Sequence, residues 1–301
     1  MTRVLWRRTG SRLALPVWLL LFAQTVYAGE QPGSVQSADA EITYSSGPGH
    51  VDARFVLRGE ELTLLAPFAE DGGPVGVFSI RLPKQDPLYS ALAGLPTTVA
   101  GPPPVPGMPT VRFALRGKDA KLAMRQLVAT RPTADPRVDK ALRELDRCER
   151  LARKHARMAF TLALRTVPTT GTASSGSRER TCVATVSAQG EAHAQAVLST
   201  GSIVVQAVPE PGPPQPGVTP LPTEWDTVST LASPAHSETL EPGGNLEVRL
   251  TVDGSEAGPR QLRAVFDGSI DVRLSGFSEK VKLNFSSKAL ALPETPGRAR
   301  K

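Results

Sequence analysis

The sequence lacks the short motifs from which many enzymes build a local catalytic or metal site. It has four histidines, at His50, His155, His193 and His236. None is spaced with a second histidine or a cysteine as metal ligands are, and no G-x-S-x-G or S-x-x-K motif presents a serine nucleophile. We therefore expect no metal and no cofactor, with His155 at the edge of the core and the other histidines solvated.

The chain also lacks an apolar run long enough to cross a membrane, which takes about 20 residues. Its N-terminal run, Leu13 to Val26, has 14 residues and follows a segment with four arginines and no acid. Small residues stand at −3 and −1 from Gly29, the second being Ala28, as at a signal-peptidase cut. Residues 1–28 are thus typical of a secretory signal peptide cleaved between Ala28 and Gly29, and we expect no transmembrane span in the mature chain.

Charge of one sign is scarce once that segment is removed. The whole chain has 35 basic and 29 acidic residues, a formal net charge of +6. Because four arginines lie in residues 1–28, the mature chain keeps 31 basic residues against 29 acidic ones. So small an excess predicts no nucleic-acid partner. Abundant arginine, alanine, proline and glycine are typical of a GC-rich bacterial genome, so we expect a periplasmic or secreted protein.

Aromatic residues and cysteines are also few. Aromatics make up 5% of the chain, and Trp225 is the only tryptophan after residue 28, which argues against a deep sugar-stacking cleft. In an oxidising compartment an isolated cysteine pair is usually bridged, so we predict a disulfide between Cys148 and Cys182. Closing that loop would stabilise the fold by about 3–4 kcal/mol on the chain-entropy model. Two buried free thiols are the alternative.

Alternation of apolar and polar residues runs through most of the chain, for example around Phe55 and Phe113. This period of two is typical of β-strands with one buried face. One segment differs, since apolar residues at helical spacing follow Asp135, a capping residue, and Pro136, which suits a first helical position. We predict a mainly β protein of antiparallel β-sandwich-like domains, with one long amphipathic helix over about 135–159.

Breaks in these patterns predict the organisation of the mature chain. It consists of a flexible N-terminal segment at 29–40, a β-rich domain closed by the helix at 41–159, an all-β domain at 160–292 and a disordered tail at 293–301.

The second of these domains contains a proline-rich segment at 209–222 and a predicted four-stranded meander at 245–286. Within the meander, Asp267-Gly268 is a strong signal for a two-residue hairpin turn. The proline-rich segment could separate two domains or cross a single sandwich, and the sequence does not decide between them.

A weak internal echo relates two strands of the first domain. The sequence RFVLRG at 54–59 is matched by RFALRG at 112–117. A duplicated hairpin unit and convergent strand composition explain the echo equally well.

The echo places arginines in matching positions on the two strands. Arg54 and Arg58 share one wet face, and Arg112 and Arg116 share the corresponding face, each pair about 13 Å apart along its strand. If the strands are neighbours, these four guanidinium groups and that of Arg81 would form one face able to bind carboxylate or phosphate groups. The alternative is a solvated face whose charge is neutralised by acidic residues, namely Glu60, Glu61 and Asp119.

These features favour a non-enzymatic exported protein of the bacterial cell envelope that acts through protein–protein or polyanion contacts. Edge strands and proline-braced loops suit such binding. A hydrolase with a spatially assembled Ser/His/acid site and a lipid- or glycan-binding β-protein remain alternatives. A pocket combining two histidines with a carboxylate would favour the hydrolase, and a large apolar cavity between sheets would favour the lipid or glycan binder.

Overall fold

The computed structural model describes eight ranges of the chain, which are residues 39–46, 51–69, 71–98, 108–116, 125–167, 179–209, 225–253 and 260–291. Within them the protein is mainly β, with two sheets and few helices, which confirms the predicted fold class. No helix in these ranges is long and apolar enough to cross a membrane. The predicted signal peptide, the tail at 293–301 and nearly all of the proline-rich segment lie outside the described residues.

The described residues form many strands and few helices. The helices are α1 (Pro87–Ala93) and α2 (Pro136–Ala152), with a short 3-10 turn at Thr200–Ser202. The strands are β1 (Asp39–Ser45), β2 (Ala53–Arg58), β3 (Glu61–Ala66), β4 (Phe68–Ala69), β5 (Val75–Arg81), β6 (Thr110–Arg116), β7 (Arg125–Thr130), β8 (Ala156–Thr166), β9 (Glu179–Gly190), β10 (Gln195–Ser199), β11 (Ile203–Pro209), β12 (Asp226–Thr227), β13 (Ser229–Leu231), β14 (Ser237–Leu240), β15 (Asn245–Asp253), β16 (Arg260–Leu274), β17 (Phe277–Ser286) and β18 (Leu290–Ala291).

The larger sheet has ten antiparallel strands in the order β13-β15-β9-β8-β5-β3-β2-β1-β6-β7. The smaller sheet is built around β16, which pairs with β11 and β10 along one edge and with β17 and β18 along the other. Strands β12 and β14 extend it, and β4 adds a short parallel pairing to β17. Residues 39 and 40, expected in a flexible segment, begin β1 instead.

Two hydrophobic cores lie on opposite faces of the larger sheet. One is a sandwich core, in which β8, β9 and β15 pack against the smaller sheet, with Phe160 and Phe285 fully buried. The other is a helix core, in which α1 and α2 cover β1, β2, β3 and β6, with Phe55 and Phe113 fully buried. Strands β5 and β8 contribute to both cores, so the sheet is continuous through the two regions.

Helix α2 begins as predicted but ends earlier. The Asp135 side chain accepts a hydrogen bond from the Arg137 backbone N–H, and Pro136 takes a first-turn position. The helix ends at Ala152, and β8 starts at Ala156. The last part of the predicted helix was wrong because this segment is a strand paired with β5 and β9, and it buries Met158 in the sandwich core and Ala159 in the helix core. His155, placed by that prediction at the core edge, is exposed.

The predicted hairpin turn at Asp267-Gly268 was also wrong. Both residues lie inside β16, opposite Asn284 and Leu283 of β17. Gly268 faces the 3-10 turn between β10 and β11, where a Cβ would stand 2.3 Å from the Ser202 Oγ. The glycine is thus required by a close crossing rather than by a turn. The chain reverses instead just before β17, and β15 belongs to the larger sheet, so 245–286 is not one meander.

The predicted disulfide is absent, because Cys148 and Cys182 are both free and buried. Cys148 points from α2 into the helix core, whereas Cys182 on β9 points into the sandwich core. The two thiols are therefore held on different sides of the larger sheet. Burial raises the pKa of the Cys148 thiol to about 11.

Candidate binding surfaces

The predicted arginine rows lie on one face of the larger sheet, with β1 between them. Thr43 of β1 is in register with Arg54 of β2 on one side and with Arg112 of β6 on the other. Arg58 and Arg116 lie four residues further along their strands and therefore on the same face. We name this surface, formed by β2, β1 and β6 and carrying these four arginines, the arginine face.

Among the described residues, the smaller sheet reaches the edge of the arginine face and does not extend over β1 and β6. The same face continues through Leu65 of β3 to Val77 of β5, which is fully buried in the sandwich core. Arg54 stands at the boundary, since its Nη1 is 3.0 Å from the Glu279 Oε1 on β17. Beyond it Arg112 is exposed. The helices cover only the opposite face of these strands.

Two of the five predicted arginines, Arg54 and Arg81, form ion pairs with described acidic residues. The Arg54 Nε lies 2.8 Å from the Glu41 Oε1, in addition to its contact with Glu279. The Arg81 Nη2 lies 2.8 Å from the Glu60 Oε2. Charge neutralisation thus applies to Arg54 and Arg81, partly through acids that the sequence did not indicate.

The remaining three arginines differ from these two. Arg58, Arg112 and Arg116 are exposed, and within the described ranges none forms an ion pair. Arg116 is in register with Asp39, and Arg58 with Glu61, so acidic residues are near them in the sheet without closing a salt bridge. Asp119, the third predicted neutralising acid, lies outside the described residues.

A groove of about 440 Å³ lies on the helix side of the sheet, where β1 and β6 approach α2. Its lining includes Tyr44 of β1, Asp52 just before β2 and Arg131 just after β7. Helix α2 contributes three further polar side chains, Asp139, Arg143 and Asp146. The groove joins segments that are far apart in the sequence.

Tyr44 is 4% exposed, and its hydroxyl has no hydrogen-bond partner in the described part of the chain. Its ring packs edge-on to Phe55 at 5.5 Å and lies 4.6 Å below the guanidinium carbon of Arg131. Burial, followed by the nearby charge of Asp146, raises the pKa of Tyr44 well above its usual range. The phenol is therefore neutral and able to both donate and accept a hydrogen bond.

No known protein family and no curated protein matches the sequence.

The described histidines form no site. His155, His193 and His236 are all exposed, and none of them lines the groove. The described residues also contain no group of three or more His, Cys, Asp or Glu side chains able to hold a metal ion.

Sequence reasoning found the arginines but not the groove. Strand alternation was sufficient to place Arg54 and Arg112 on wet faces, because a period of two fixes which side of a strand is buried. Tyr44 gives no comparable signal, since its role depends on Arg131 and Asp146, about a hundred residues away.

Proposed function

We propose that the protein is an exported, non-enzymatic binding protein of the bacterial cell envelope that binds an acidic segment of a partner protein on its arginine face. Export is supported by the signal-peptide pattern of residues 1–28. Two features support a binding role without catalysis, namely the exposed arginine face and the lack of local catalytic motifs in the sequence.

The observation that carries this proposal is the difference among the arginines. Arg58, Arg112 and Arg116 are exposed on one sheet face and unpaired with described residues, while Arg54 and Arg81 are held in ion pairs. A guanidinium group presents a planar fork of donors that matches a carboxylate and forms two parallel hydrogen bonds with it. Unpaired arginines are thus the groups on this face best suited to bind external carboxylates.

The backbone geometry gives the spacing of the three guanidinium groups. Arg112 and Arg116 are separated by about 13 Å along β6, and Arg58 lies two strands away, at about 10 Å across the sheet. Because paired strands hold these positions, an extended acidic segment would meet a preformed set of donors. Acidic residues on the same face, such as Glu41 and Asp39, would limit binding to partners whose carboxylates avoid them.

Binding of fluorescently labelled poly-L-glutamate to residues 29–301 tests the proposal directly. The triple variant R58Q/R112Q/R116Q is compared with R150Q/R249Q/R273Q, which removes the same charge from exposed arginines elsewhere. We expect the first variant to bind at least tenfold more weakly and to show a smaller salt dependence, and the second to stay within about threefold of the unchanged protein. Equal losses in both variants would mean that net charge, not this surface, drives binding.

The same three proteins, immobilised and exposed to envelope extract, test whether a natural partner uses this surface. A partner captured by the unchanged protein and by R150Q/R249Q/R273Q, but lost with R58Q/R112Q/R116Q, is the expected result. A partner retained by all three would exclude the arginine face as its site.

A separate experiment tests export. Cells are separated into cytosol, periplasm and medium, and mass spectrometry of the intact protein in each fraction shows where the chain begins. We expect a chain that starts at Gly29 in the periplasm or medium. A chain that retains Met1 in the cytosol would refute this part of the proposal.

A further inference from the structure

The groove beside Tyr44 is separate from the arginine face. Successive side chains of a strand point to opposite sides of a sheet, so Tyr44 faces the helices while Thr43 faces the arginines. A ligand in the groove would therefore leave the arginine face free, and the inference below does not rest on the proposed function.

The Tyr44 hydroxyl is the first observation. Buried side-chain polar atoms are in their large majority hydrogen-bonded, because desolvation without a partner is unfavourable. Tyr89, a second buried tyrosine in the helix core, follows this rule, since its hydroxyl donates to the Gly59 carbonyl oxygen at 3.0 Å. Tyr44 does not, although it is 4% exposed and its ring packs against Phe55.

The charges around the groove are the second, independent observation. The Arg143 Nη1 is already 3.2 Å from the Asp139 Oδ2, and the guanidinium of Arg131 lies over the Tyr44 ring. Asp146 forms no ion pair with any described residue, and its charge contributes to the raised pKa of Tyr44. Asp52, the third carboxylate of the groove, accepts a hydrogen bond from the Ser46 hydroxyl at 2.8 Å. Among the described residues, Asp146 is therefore the carboxylate that is available to a ligand, and the Tyr44 hydroxyl is a polar group without a partner.

We propose that this groove binds a primary ammonium group, which donates hydrogen bonds to the Asp146 carboxylate and to the Tyr44 Oη. An ammonium is compact and carries three donors, enough to serve both acceptors at once. The volume of about 440 Å³ accommodates a lysine-sized alkyl chain beside Leu142. The group could come from a free alkylamine or from a lysine side chain of a protein.

Entry of the ligand involves Arg131. Its guanidinium covers the face of the Tyr44 ring, and the residue itself is exposed. An approaching ammonium repels this like charge, and a long surface side chain can move into solvent at little cost. Displacement of Arg131 would then give the ligand access to Tyr44.

Calorimetric titration of residues 29–301 tests the assignment with three probes. These are n-butylamine, Nα-acetyl-lysine methylamide and the uncharged Nα-acetyl-norleucine methylamide. We expect both amines to bind and the norleucine compound to bind at least tenfold more weakly. A tighter lysine compound assigns the site to a protein side chain, and a tighter butylamine assigns it to a small amine. Equal binding of the norleucine compound, or no binding of either amine, would overturn the proposal.

Variants identify the two groups that hold the ammonium. Asp146→Asn keeps the shape and removes the charge, so amine binding should weaken at least tenfold. Tyr44→Phe should weaken it several-fold. Unchanged affinity in either variant would contradict the assigned contact.

Thermal unfolding of the free protein keeps this test separate from general damage to the fold. Tyr44→Phe removes a hydroxyl without a partner and should leave Tm unchanged or higher, whereas the matched Tyr89→Phe removes a made hydrogen bond and should lower it. Equal decreases in Tm would show that the Tyr44 hydroxyl is already satisfied in the free protein, and the proposal would fail.

Discussion

The larger sheet has one region that packs against the smaller sheet and another, formed by β2, β1 and β6, that packs against the helices. In each region the face that is covered by another layer is apolar and the other face is polar. Under the smaller sheet, the face carries apolar side chains such as Val77 and Met158, both fully buried. Continued across β2, β1 and β6, the same face carries Arg54, Thr43 and Arg112. On the opposite side the pattern reverses, since β1 and β2 are apolar where the helices cover them.

This difference gives one sheet both buried apolar faces and an exposed charged face. Each region buries a single face of most of its strands, so each supplies one core and one wet surface. Among the described strands, β5 and β8 provide fully buried side chains to both cores, and β3 adds the partly buried Leu65 to the sandwich core. We infer that β5 and β8 couple the regions, and that the arginine face can change its side chains with little effect on folding.

The largest expected effect comes from removing one aromatic ring from either core. Phe113→Ala in the helix core and Phe285→Ala in the sandwich core should each lower the free energy of unfolding by about 3–5 kcal/mol. Because β5 and β8 belong to both cores, each variant should still unfold in one transition. Urea unfolding followed by circular dichroism and by Trp225 fluorescence measures this. Two separated transitions would show that the regions fold independently.

A second prediction concerns the seam between the regions, at Gly76 of β5. Its φ is +133°, and a Cβ there would stand 2.2 Å from the Met158 carbonyl oxygen on β8. Gly76→Ala should cost about 3 kcal/mol through backbone strain and overpacking. Gly59→Ala is the control, since Gly59 also has a positive φ but open space around it, and should cost about 1 kcal/mol. Similar losses measured by urea unfolding would mean that the seam tolerates separation.

The sequence predicts strands with one buried face better than strands with two. Strands with one wet face, such as β2 and β6, were predictable because alternation records the burial of one side. Strand β5 is buried on both faces, since Val77 and Phe78 are neighbours and both fully buried. An alternating pattern indicates one buried face, so it could not predict the second one. The helix start was predictable because Asp135 and Pro136 act locally, within one turn.

The errors came from features that depend on distant partners. Asp267-Gly268 has the composition of a turn, but β10, β11 and β17 hold both flanks of β16 extended. The disulfide prediction used compartment and count, and neither of these indicates that Cys148 and Cys182 point to different cores. The groove at Tyr44 required knowing which segments meet.

A third prediction uses the one thiol that each core contains. In denaturant, both Cys148 and Cys182 should react with a thiol reagent, while neither should react in the native protein because both are fully buried. No reactive thiol in denaturant would instead indicate a disulfide.

The buried thiol of Cys148 also predicts a pH dependence. Its pKa is raised from 9.0 to about 11 by burial, so the folded state retains the proton that the unfolded state releases. The contribution of Cys148 to the free energy of unfolding should therefore be constant below about pH 9 and should fall as the pH rises towards 11. Unfolding measured across this range in Cys148→Ala should show a weaker decline than in the unchanged protein. An identical decline would assign the effect to other groups.

The smallest expected effect lies at the boundary of the arginine face. Arg54→Gln breaks the ion pairs with Glu41 and Glu279 and should cost about 0.5–1 kcal/mol, since these pairs are only partly buried. Arg112→Gln, which breaks no described ion pair, should change stability by less than about 0.5 kcal/mol. A larger loss for Arg112→Gln would show that this arginine serves the fold.

The most direct measurement of the central claim is an amide chemical-shift map of the 29–301 protein titrated with poly-L-glutamate. We predict shifts concentrated in β1, β2 and β6, on residues next to Arg58, Arg112 and Arg116, with β9, β15 and β16 unchanged. Shifts concentrated on the smaller sheet, with none in β1, β2 or β6, would contradict it.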